Sequence, residues 1–179
     1  MENKVKLILM SCCAPCSAGA IKQLAEKQIP NIDDFIVLFF NPNIYPETEY
    51  QKRLAEQIKY CESLGVKYAV GDYNHDAWLM AVRGLENEPE RGARCSKCFA
   101  YRFCYAREFA IKNGYNAIAS VFGVSRFKDQ NQVDIAAEQS CGTIPYLPVR
   151  WDENLRIQIN RESDFYRQKY CGCEFSMRK

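Results

Sequence analysis

The sequence predicts an α/β fold in which a mainly parallel sheet is flanked by helices. Two short, almost continuously apolar segments, 5–10 and 35–40, each precede a helical pattern, and a third at 66–70 follows the second helix. Such runs are typical of strands buried on both faces of a parallel sheet. Strands that alternate with helices favour right-handed crossovers within one sheet. We expect residues 1–179 to form a single domain, because the sequence has no evident linker or repeat.

Capping and turn residues set the predicted boundaries of the first two helices. Ser17 is the expected N-cap of a helix that ends near Gln28. A second helix is expected to begin at Pro46, whose fixed φ suits a first turn, and to end at Leu64 before a glycine. Both helices follow strands, so their first turns lie at the edge of the sheet where such folds bind ligands.

The second half of the chain has weaker patterns. We expect helices near 75–85, 96–112 and 130–139, a strand at 116–121, an irregular segment at 142–150 and helical character at 160–170. The C-terminal part is therefore predicted to be largely helical.

Ten cysteines are present, and seven of them fall into three tight clusters. These clusters are Cys12-Cys13-Ala-Pro-Cys16, Cys95-Ser-Lys-Cys98 and Cys171-Gly-Cys173. Thiolates two or three residues apart converge on one point, as a metal ion, an iron–sulfur cluster or a redox pair requires. Because the clusters come from the beginning, middle and end of the chain, we expect the fold to bring them together. We further expect the helical C-terminal part to carry the metal site.

The third cluster differs in kind from the other two. A single glycine between Cys171 and Cys173 allows a strained small-ring disulfide, and strained disulfides are the labile, catalytic ones. The same two cysteines could instead be further metal ligands. The remaining cysteines, Cys61, Cys104 and Cys141, are predicted to be packing residues, as free cysteines commonly are.

Three kinds of protein are compatible with these residues alone. An iron–sulfur redox enzyme uses all three clusters. A structural zinc site in a non-enzymatic RNA-binding module needs only four thiols. A thiol–disulfide protein without metal is the third possibility. His75 is the only histidine in the sequence, which excludes zinc sites of the Cys₂His₂ or H-E-x-x-H kind.

Positive charge is concentrated in the middle of the chain, although the formal net charge is only +2. Residues 91–128 contain a single acidic side chain, Glu108, among eight basic ones. The basic residues are Arg91, Arg94, Lys97, Arg102, Arg107, Lys112, Arg126 and Lys128. Such a block favours a polyanionic partner beside the second cysteine cluster, although a solvated helix face has the same composition.

The sequence predicts a cytoplasmic protein without a membrane segment. No stretch approaches the roughly 20 apolar residues of a membrane helix, and the first apolar run is followed by no signal-cleavage pattern. Thiols stay reduced in the cytoplasm, where clustered cysteines bind metals or catalyse reactions more often than they form structural disulfides.

Four motifs resemble one known family. They are Cys-Cys-Ala-Pro-Cys-Ser from Cys12, Asn-Pro-Asn-Ile-Tyr-Pro-Glu-Thr-Glu-Tyr from Asn41, Arg-Cys-x-x-Cys-Phe-x-x-Arg from Arg94, and Phe-Tyr-Arg-Gln-Lys-Tyr-Cys-Gly-Cys-Glu-Phe-Ser from Phe165. In this order they resemble the epoxyqueuosine reductases of the QueH type over almost the whole chain. The Rossmann-like arrangement also resembles the PP-loop topology of adenine-nucleotide alpha-hydrolases, although the sequence lacks a glycine-rich phosphate motif.

The resemblance implies a cobalamin- and flavin-independent oxidoreductase that reduces the epoxide of epoxyqueuosine in tRNA to queuosine. It implies a [4Fe–4S] cluster on Cys12, Cys13, Cys95 and Cys98, and a redox-active pair formed by Cys171 and Cys173. A second metal ion, iron or zinc, is expected beside the cluster, with Cys16 as its candidate ligand. The electron donor and the oligomeric state are not indicated by the sequence.

The same resemblance implies that the basic block binds the phosphates of the tRNA anticodon loop. The expected contacts are made by Arg94, Lys97, Arg102, Arg107, Arg126 and Lys128. Aromatic side chains stack on splayed RNA bases, and Tyr45, Phe99 and Tyr101 are the candidates for this role. Tyr170 and Asp129 are the candidate proton donors.

Overall fold

Four parallel strands form the centre of the computed structural model, which describes residues 4–177. They are β1 (Val5–Ser11), β2 (Ile32–Phe39), β3 (Tyr68–Val70) and β4 (Ala117–Ser120), and their order across the sheet is β3-β2-β1-β4. In β1, Leu7 to Met10 are completely buried, because this strand pairs with a neighbour on each side and is covered on both faces. The predicted fold class is confirmed.

Six helices flank the sheet in the described part of the chain. They are α1 (Ala14–Ala25), α2 (Glu47–Ser63), α3 (His75–Ala81), α4 (Ala93–Asn113), α5 (Gln130–Ser140) and α6 (Glu153–Glu162). Helix α1 packs against α2 and α6, whereas α4 packs against α3 and α5. Two short 3₁₀ turns, Phe122–Val124 and Glu174–Ser176, lie outside these helices. Over residues 4–177, no helix has the length and apolarity needed to cross a membrane.

Helices α1 and α4 begin earlier than the sequence predicted. The N-cap of α1 is Cys13, not Ser17, because Pro15 occupies the first turn and its fixed φ suits that position. The Ser17 hydroxyl instead donates to the Cys13 carbonyl oxygen at 2.9 Å. Helix α4 begins at Ala93, so Cys95 and Cys98 both lie on its first turns.

The C-terminal part is less helical than expected. Helix α6 occupies Glu153–Glu162, and the segment from there to the final 3₁₀ turn is irregular. The Asp152 side chain fixes this earlier start, because its Oδ1 accepts from the Leu155 amide at 3.1 Å. This part of the chain contributes Cys171 and Cys173 to the site described below, whereas the other clustered cysteines lie on the β1–α1 connection and on α4.

The contact between α1 and α6 depends on a small residue. A Cβ atom added to Gly19 would lie 3.1 Å from the Cα atom of Arg156, which is closer than ordinary packing allows. The two helices therefore approach each other more closely than a larger residue would permit. This approach places the C-terminal segment beside the start of α1.

We expect Gly19→Leu to lower the free energy of unfolding by about 1–3 kcal/mol, because the new side chain must displace α6. Ala25→Leu is the matched control, since Ala25 is exposed at the other end of the same helix. Its effect should stay within about 0.5 kcal/mol. Urea denaturation of the reduced protein measures both changes, and equal effects of the two substitutions would contradict close α1–α6 packing.

Candidate metal and redox site

Cys12, Cys13 and Cys16 form a compact group of thiols at the carboxyl end of β1. Their Sγ atoms all lie within 4.8 Å of one another, and the three residues are buried. Among the described residues this is the only group of three or more cysteine, histidine or acidic side chains that close together. Cys13 has extended backbone, yet its sulfur lies only 3.9 Å from that of Cys12. Neighbouring cysteines therefore do point to one centre here.

The three thiols share one negative charge unequally. Hydrogen bonds from Cys13 and Cys16 hold the pKa of Cys12 well below its usual value, with help from the positive charge of Lys128. The Lys128 ammonium lies 3.7 Å from the Cys12 sulfur. Burial raises the pKa of Cys13 to about 12, and hydrogen bonding to the other two thiols raises that of Cys16. A metal ion that bound all three would have to displace the remaining protons.

Gln168 connects this group to the C-terminal segment. Its Nε2 atom donates to the Cys13 sulfur at 2.7 Å and lies 3.9 Å from the Cys16 sulfur. Gln168 was not singled out from the sequence, although it lies within the C-terminal motif from Phe165. That motif is the feature of the sequence that could have pointed to Gln168.

Cys95 and Cys98 lie on the first turns of α4 and line a narrow cavity together with Cys171 and Cys173. Cys95 and Cys98 are one helical turn apart, which places both sulfurs on one side of the helix. The Cys95 sulfur accepts from the Arg91 amide at 3.3 Å. The fold therefore brings the second and third cysteine clusters to one cavity.

Two cations join the two groups of thiols. The Lys128 charge acts on Cys12, Cys16 and Cys171, and it lowers the pKa of both Cys12 and Cys171. The buried Arg102 guanidinium lowers the pKa of Cys12 and opposes the effect of burial on that of Cys98. Both thiol groups thus share one electropositive environment.

Buried N–H donors also face the thiols of this cavity. Trp78 and Arg102 both line it, and hydrogen bonds from the two side chains to the Cys98 sulfur oppose the rise in the pKa of Cys98 that burial causes. N–H donors and thiols together suit an anionic iron–sulfur group, whose sulfurs accept hydrogen bonds. The residues present therefore fit a thiolate-bound metal centre.

The loop that carries Cys171 and Cys173 is fixed through its backbone. Gly172 has a φ of 117°, and an added Cβ would lie 2.9 Å from Ile44 Cγ1. Its carbonyl oxygen accepts from the Tyr45 amide at 2.8 Å. Glycine is required here both for the backbone conformation and for the close approach to Ile44.

A buried ion pair also holds the backbone of this loop. Arg53 Nε donates to Glu49 Oε1 at 2.8 Å, and Arg53 Nη1 donates to the Cys171 carbonyl oxygen at 3.0 Å. Arg53 Nη2 donates to the Tyr170 carbonyl oxygen at 3.1 Å. These bonds leave the two thiols free to react while the backbone between them is held.

His75 fixes the other side of the loop. Its Nε2 atom lies 2.6 Å from Glu174 Oε1, and its Nδ1 atom lies 2.7 Å from the Pro42 carbonyl oxygen. The imidazole ring is stacked between Tyr45 and Trp78. The sequence assigned no role to this histidine, because pairing across the chain leaves no local pattern.

The two thiols of the loop differ in their acidity. A hydrogen bond from Cys173 lowers the pKa of Cys171 to about 5, and Lys128 and Ser176 act in the same direction. The same hydrogen bond and burial raise the pKa of Cys173 strongly. Cys171 is therefore the thiolate of the pair and Cys173 holds the proton.

Two of the six predicted tRNA-binding residues are buried, which corrects the sequence interpretation. Arg94 donates to the carbonyl oxygens of Leu85, Glu86 and Glu88, and so closes the loop before α4. Arg102 donates to Phe40 O and Asn41 Oδ1, and its guanidinium lies 3.7 Å from the Phe122 ring centre. Neither is available to a phosphate at the surface.

The positions of Arg94 and Arg102 follow from helical spacing. Cys98 and Ala106 lie on the same stripe of α4, four residues apart from the arginines, and both are buried. The spacing was present in the sequence, but the charge suggested an exposed face.

The other four predicted contacts lie in different environments. Lys97 and Arg126 are exposed. Arg107 is half-buried and donates to Glu108 and to the Ser140 carbonyl oxygen. Lys128 faces the thiols, as described above. Contact of these four residues with tRNA stays a prediction.

Several other expectations need correction. Phe99 is buried, which prevents it from stacking on a base, whereas Tyr45 is 42% exposed. Asp129 caps α5, and the Tyr170 hydroxyl donates to the Tyr45 carbonyl oxygen, so neither is a free proton donor.

The three cysteines outside the clusters were predicted to be packing residues. Cys61 and Cys141 are buried as predicted, and Cys104 is half-buried.

The comparisons with known proteins agree on one family. The family model described as "Epoxyqueuosine reductase QueH" matches residues 7–179. A protein of that name from Histophilus somni is 39% identical over 97% of this chain and 72% of its own length. Another of that name, from Acinetobacter baylyi, is 37% identical over 99% of this chain and 83% of its own length.

One solved structure has a similar fold. It is a U34-tRNA thiolase, NcsA, from Methanococcus maripaludis with its [4Fe–4S] cluster. The TM-score is 0.63 with 16% sequence identity, and the match covers 98% of this chain and 62% of the other. At this identity the likeness concerns the fold alone.

Lys128→Met should shift the pH dependence of Cys171 alkylation to higher pH. In the wild type the reactive thiolate persists down to about pH 5, and removal of the ammonium raises the pKa of Cys171. Mass spectrometry of the metal-free, reduced protein measures the alkylation rate against pH. Lys97→Met is the matched control, since Lys97 is exposed on α4. An unchanged midpoint in Lys128→Met would contradict the proposed charge contact.

Gly172→Ala should release the C-terminal loop from Tyr45, because the new Cβ displaces Ile44 or the loop itself. Hydrogen exchange at the Tyr45 amide should become faster, since that amide loses the Gly172 carbonyl acceptor. Gly84→Ala is the control, because Gly84 also has a positive φ but has no atom within 4 Å of an added Cβ. Protection of Tyr45 that survives Gly172→Ala would show that the loop is held elsewhere.

Proposed function

The chain belongs to the QueH family of epoxyqueuosine reductases, and from this premise we propose how its cysteines carry out the reduction. The protein is an oxidoreductase that converts the epoxide of epoxyqueuosine to the alkene of queuosine. The alternative of a non-enzymatic zinc module is set aside, because the relatives are named reductases. One observation carries the proposal for the chemistry: Cys171 and Cys173 line the same cavity as Cys95 and Cys98.

The chemistry requires two electrons and two protons. Both carbon–oxygen bonds of the epoxide break, a carbon–carbon double bond forms, and the oxygen leaves as water. Oxidation of a thiolate and a thiol to a disulfide releases two electrons and one proton, so one such pair supplies both electrons and solvent supplies the second proton. A low-potential electron donor from outside the chain then returns the disulfide to the dithiol.

Cys171 and Cys173 are the dithiol in this proposal. The low pKa of Cys171 makes it the sulfur that is charged at neutral pH, and the raised pKa of Cys173 keeps a proton available beside it. The Gly172 backbone between them is held by Tyr45 and Arg53, which keeps both sulfurs at the cavity. The positive charge of Lys128 supports the thiolate from the other side.

We propose that Cys12, Cys13, Cys95 and Cys98 hold a [4Fe–4S] cluster. Support comes from the burial of Cys12, Cys13 and Cys98, from the cations Lys128 and Arg102, and from the N–H donors of Trp78 and Arg102 beside Cys98. The close approach of Cys16 to Cys12 and Cys13 supports a second metal ion, iron or zinc, at the same end of β1. When bound, the cluster supplies single electrons and the second ion supplies a Lewis acid for the epoxide oxygen.

The substrate in this proposal is tRNA that carries epoxyqueuosine. Arg91 and Arg126 are exposed basic side chains that line the cavity or the cleft next to it, and they are suited to phosphate contacts, as is the exposed Lys97 on α4. Arg94 and Arg102 are left out of this role because they are buried.

Anaerobic incubation of the metal-loaded protein with epoxyqueuosine tRNA and a strong reductant should remove one oxygen atom from the modified nucleoside. Nucleoside mass spectrometry measures this loss. Cys171→Ser and Cys173→Ser should each abolish turnover while iron content is retained, because they remove the dithiol and leave the proposed ligands in place. Cys98→Ala should lower the iron content as well.

Cys104→Ser is the matched control for these variants, because Cys104 is half-buried on the same helix as Cys98 but does not line the cavity. It should keep both iron and activity. Full activity in Cys171→Ser would rule out the dithiol, and an unchanged epoxide with metal-loaded wild-type protein would overturn the reductase function itself.

A further inference from the structure

A second cleft opens beside Cys16 and shares Phe127 with the cavity that contains Cys171. Its volume is about 410 Å³. The walls are formed by the segment after β4, by α6 and by the irregular C-terminal segment, which includes Gln168. Cys16 is the one cysteine that lines this cleft. A molecule in the cleft would therefore have direct access to the first group of thiols.

The mouth of this cleft, which we call the Cys16 cleft, is positively charged. Arg126, Arg156 and Arg167 line it, against one acidic residue, Glu153, which is paired with Arg156. Arg126 and Arg167 are exposed. A neighbouring cleft shares Arg126 and adds Arg91 and Lys169 with one acidic residue, Glu90, so the surface beyond the mouth also has a net positive charge. This arrangement attracts an anion longer than a single phosphate.

The inner wall of the Cys16 cleft presents hydrogen-bond acceptors without partners. Among the described residues, Asn160 Oδ1 and Gln168 Oε1 are buried and unpaired, and both residues line the cleft. Asn160 is only 5% exposed. Unpaired buried acceptors of this kind call for a ligand that brings N–H or O–H groups.

The orientation of both amides is set by their nitrogen atoms. Asn160 Nδ2 donates to the Pro15 carbonyl oxygen at 2.9 Å, and Gln168 Nε2 donates to the Cys13 sulfur at 2.7 Å. Each nitrogen is therefore already engaged, and each oxygen remains an acceptor without a partner. Gln168 thus touches the thiol group with one end and is available to a ligand with the other.

Phe127 borders both the Cys16 cleft and the cavity of Cys171. It also lines the neighbouring basic cleft. The side chain is partly exposed, and the Arg126 guanidinium lies 4.9 Å from its ring centre. A half-exposed aromatic ring beside basic side chains is the usual platform for an unpaired nucleic-acid base.

We propose that the Cys16 cleft binds the nucleotide to be reduced, splayed out of a single-stranded RNA loop. Its base packs on Phe127, and its N–H and O–H groups donate to Asn160 and Gln168. The flanking phosphates lie on Arg126, Arg167 and the adjoining basic surface. This assignment rests on the proposed function, and it moves RNA recognition from the buried arginines of α4 to the segment after β4 and the C-terminal segment.

Equilibrium binding tests this assignment without the need for turnover. Metal-loaded protein is titrated anaerobically with two tRNAs of one sequence, one with epoxyqueuosine and one with unmodified guanosine. The double variant Arg126→Glu/Arg167→Glu should bind both tRNAs more weakly by roughly tenfold or more, because attraction becomes repulsion. The slope of log affinity against log salt should also fall by about 0.7 for each lost contact.

Lys112→Glu is the control for the charged mouth of the cleft, because Lys112 is exposed at the far end of α4, roughly 20–25 Å from Cys95 and Cys98 along the helix. It should bind like the wild type. Equal binding by the double variant and this control would overturn the proposed surface.

Gln168 tests recognition of the nucleoside. The wild type should prefer epoxyqueuosine tRNA, and Gln168→Met should lose that preference. Iron content is measured for each variant to exclude loss of the metal site. No preference in the wild type, or full preference in Gln168→Met, would overturn the assignment of the inner wall.

Failure of the proposed function gives a different result. Wild-type protein that binds in this pattern but leaves the epoxide intact would contradict reductase activity while supporting the cleft. Protein that reduces the epoxide but binds tRNA independently of Arg126, Arg167 and Gln168 would support reductase activity and contradict the assignment of the cleft.

Discussion

Burial of several thiols at one edge of a parallel sheet requires positive charge beside them, and Lys128 and Arg102 supply it. A buried charge without compensation is destabilising by several kcal/mol, so thiolates and cations depend on each other here. Arg102 is held by Phe40 and Asn41 at the end of β2, and Asn41 donates to the Ser11 carbonyl oxygen at the end of β1 at 2.9 Å. The ends of two strands thus fix the cation that the cysteines need.

The same edge of the sheet collects segments that are distant along the chain. Helix α1 brings Cys16, α4 brings Cys98, and the C-terminal segment brings Cys171 and Gln168. Arg53 and Tyr45 hold the last of these segments through its backbone, so its thiols are not used as anchors. Such a division suits a redox pair, because the loop keeps its position in both oxidation states.

Much of the fold follows from local patterns in the sequence. The apolar runs of β1 and β2 are long enough to be unambiguous, and Pro46 and Gly114 mark helix ends by their backbone preferences. Helix α6 was predicted too late in the chain, because the Asp152 cap was overlooked. The burial of Arg94 and Arg102 was missed for another reason. Their charge indicated a solvent-facing side of α4, whereas their spacing matched the buried stripe.

The sequence by itself determined the family, the parallel α/β architecture and the seven clustered cysteines, because each is encoded by residue type and short-range spacing. Only the tertiary structure decided which thiols share a cavity, which cations face them and which arginines remain at the surface. Many of these are contacts between residues distant along the chain, and some lie more than 100 positions apart, such as Gln168 with Cys13 and Lys128 with Cys12. They depend on how strands and helices pack, and no local pattern specifies the partner.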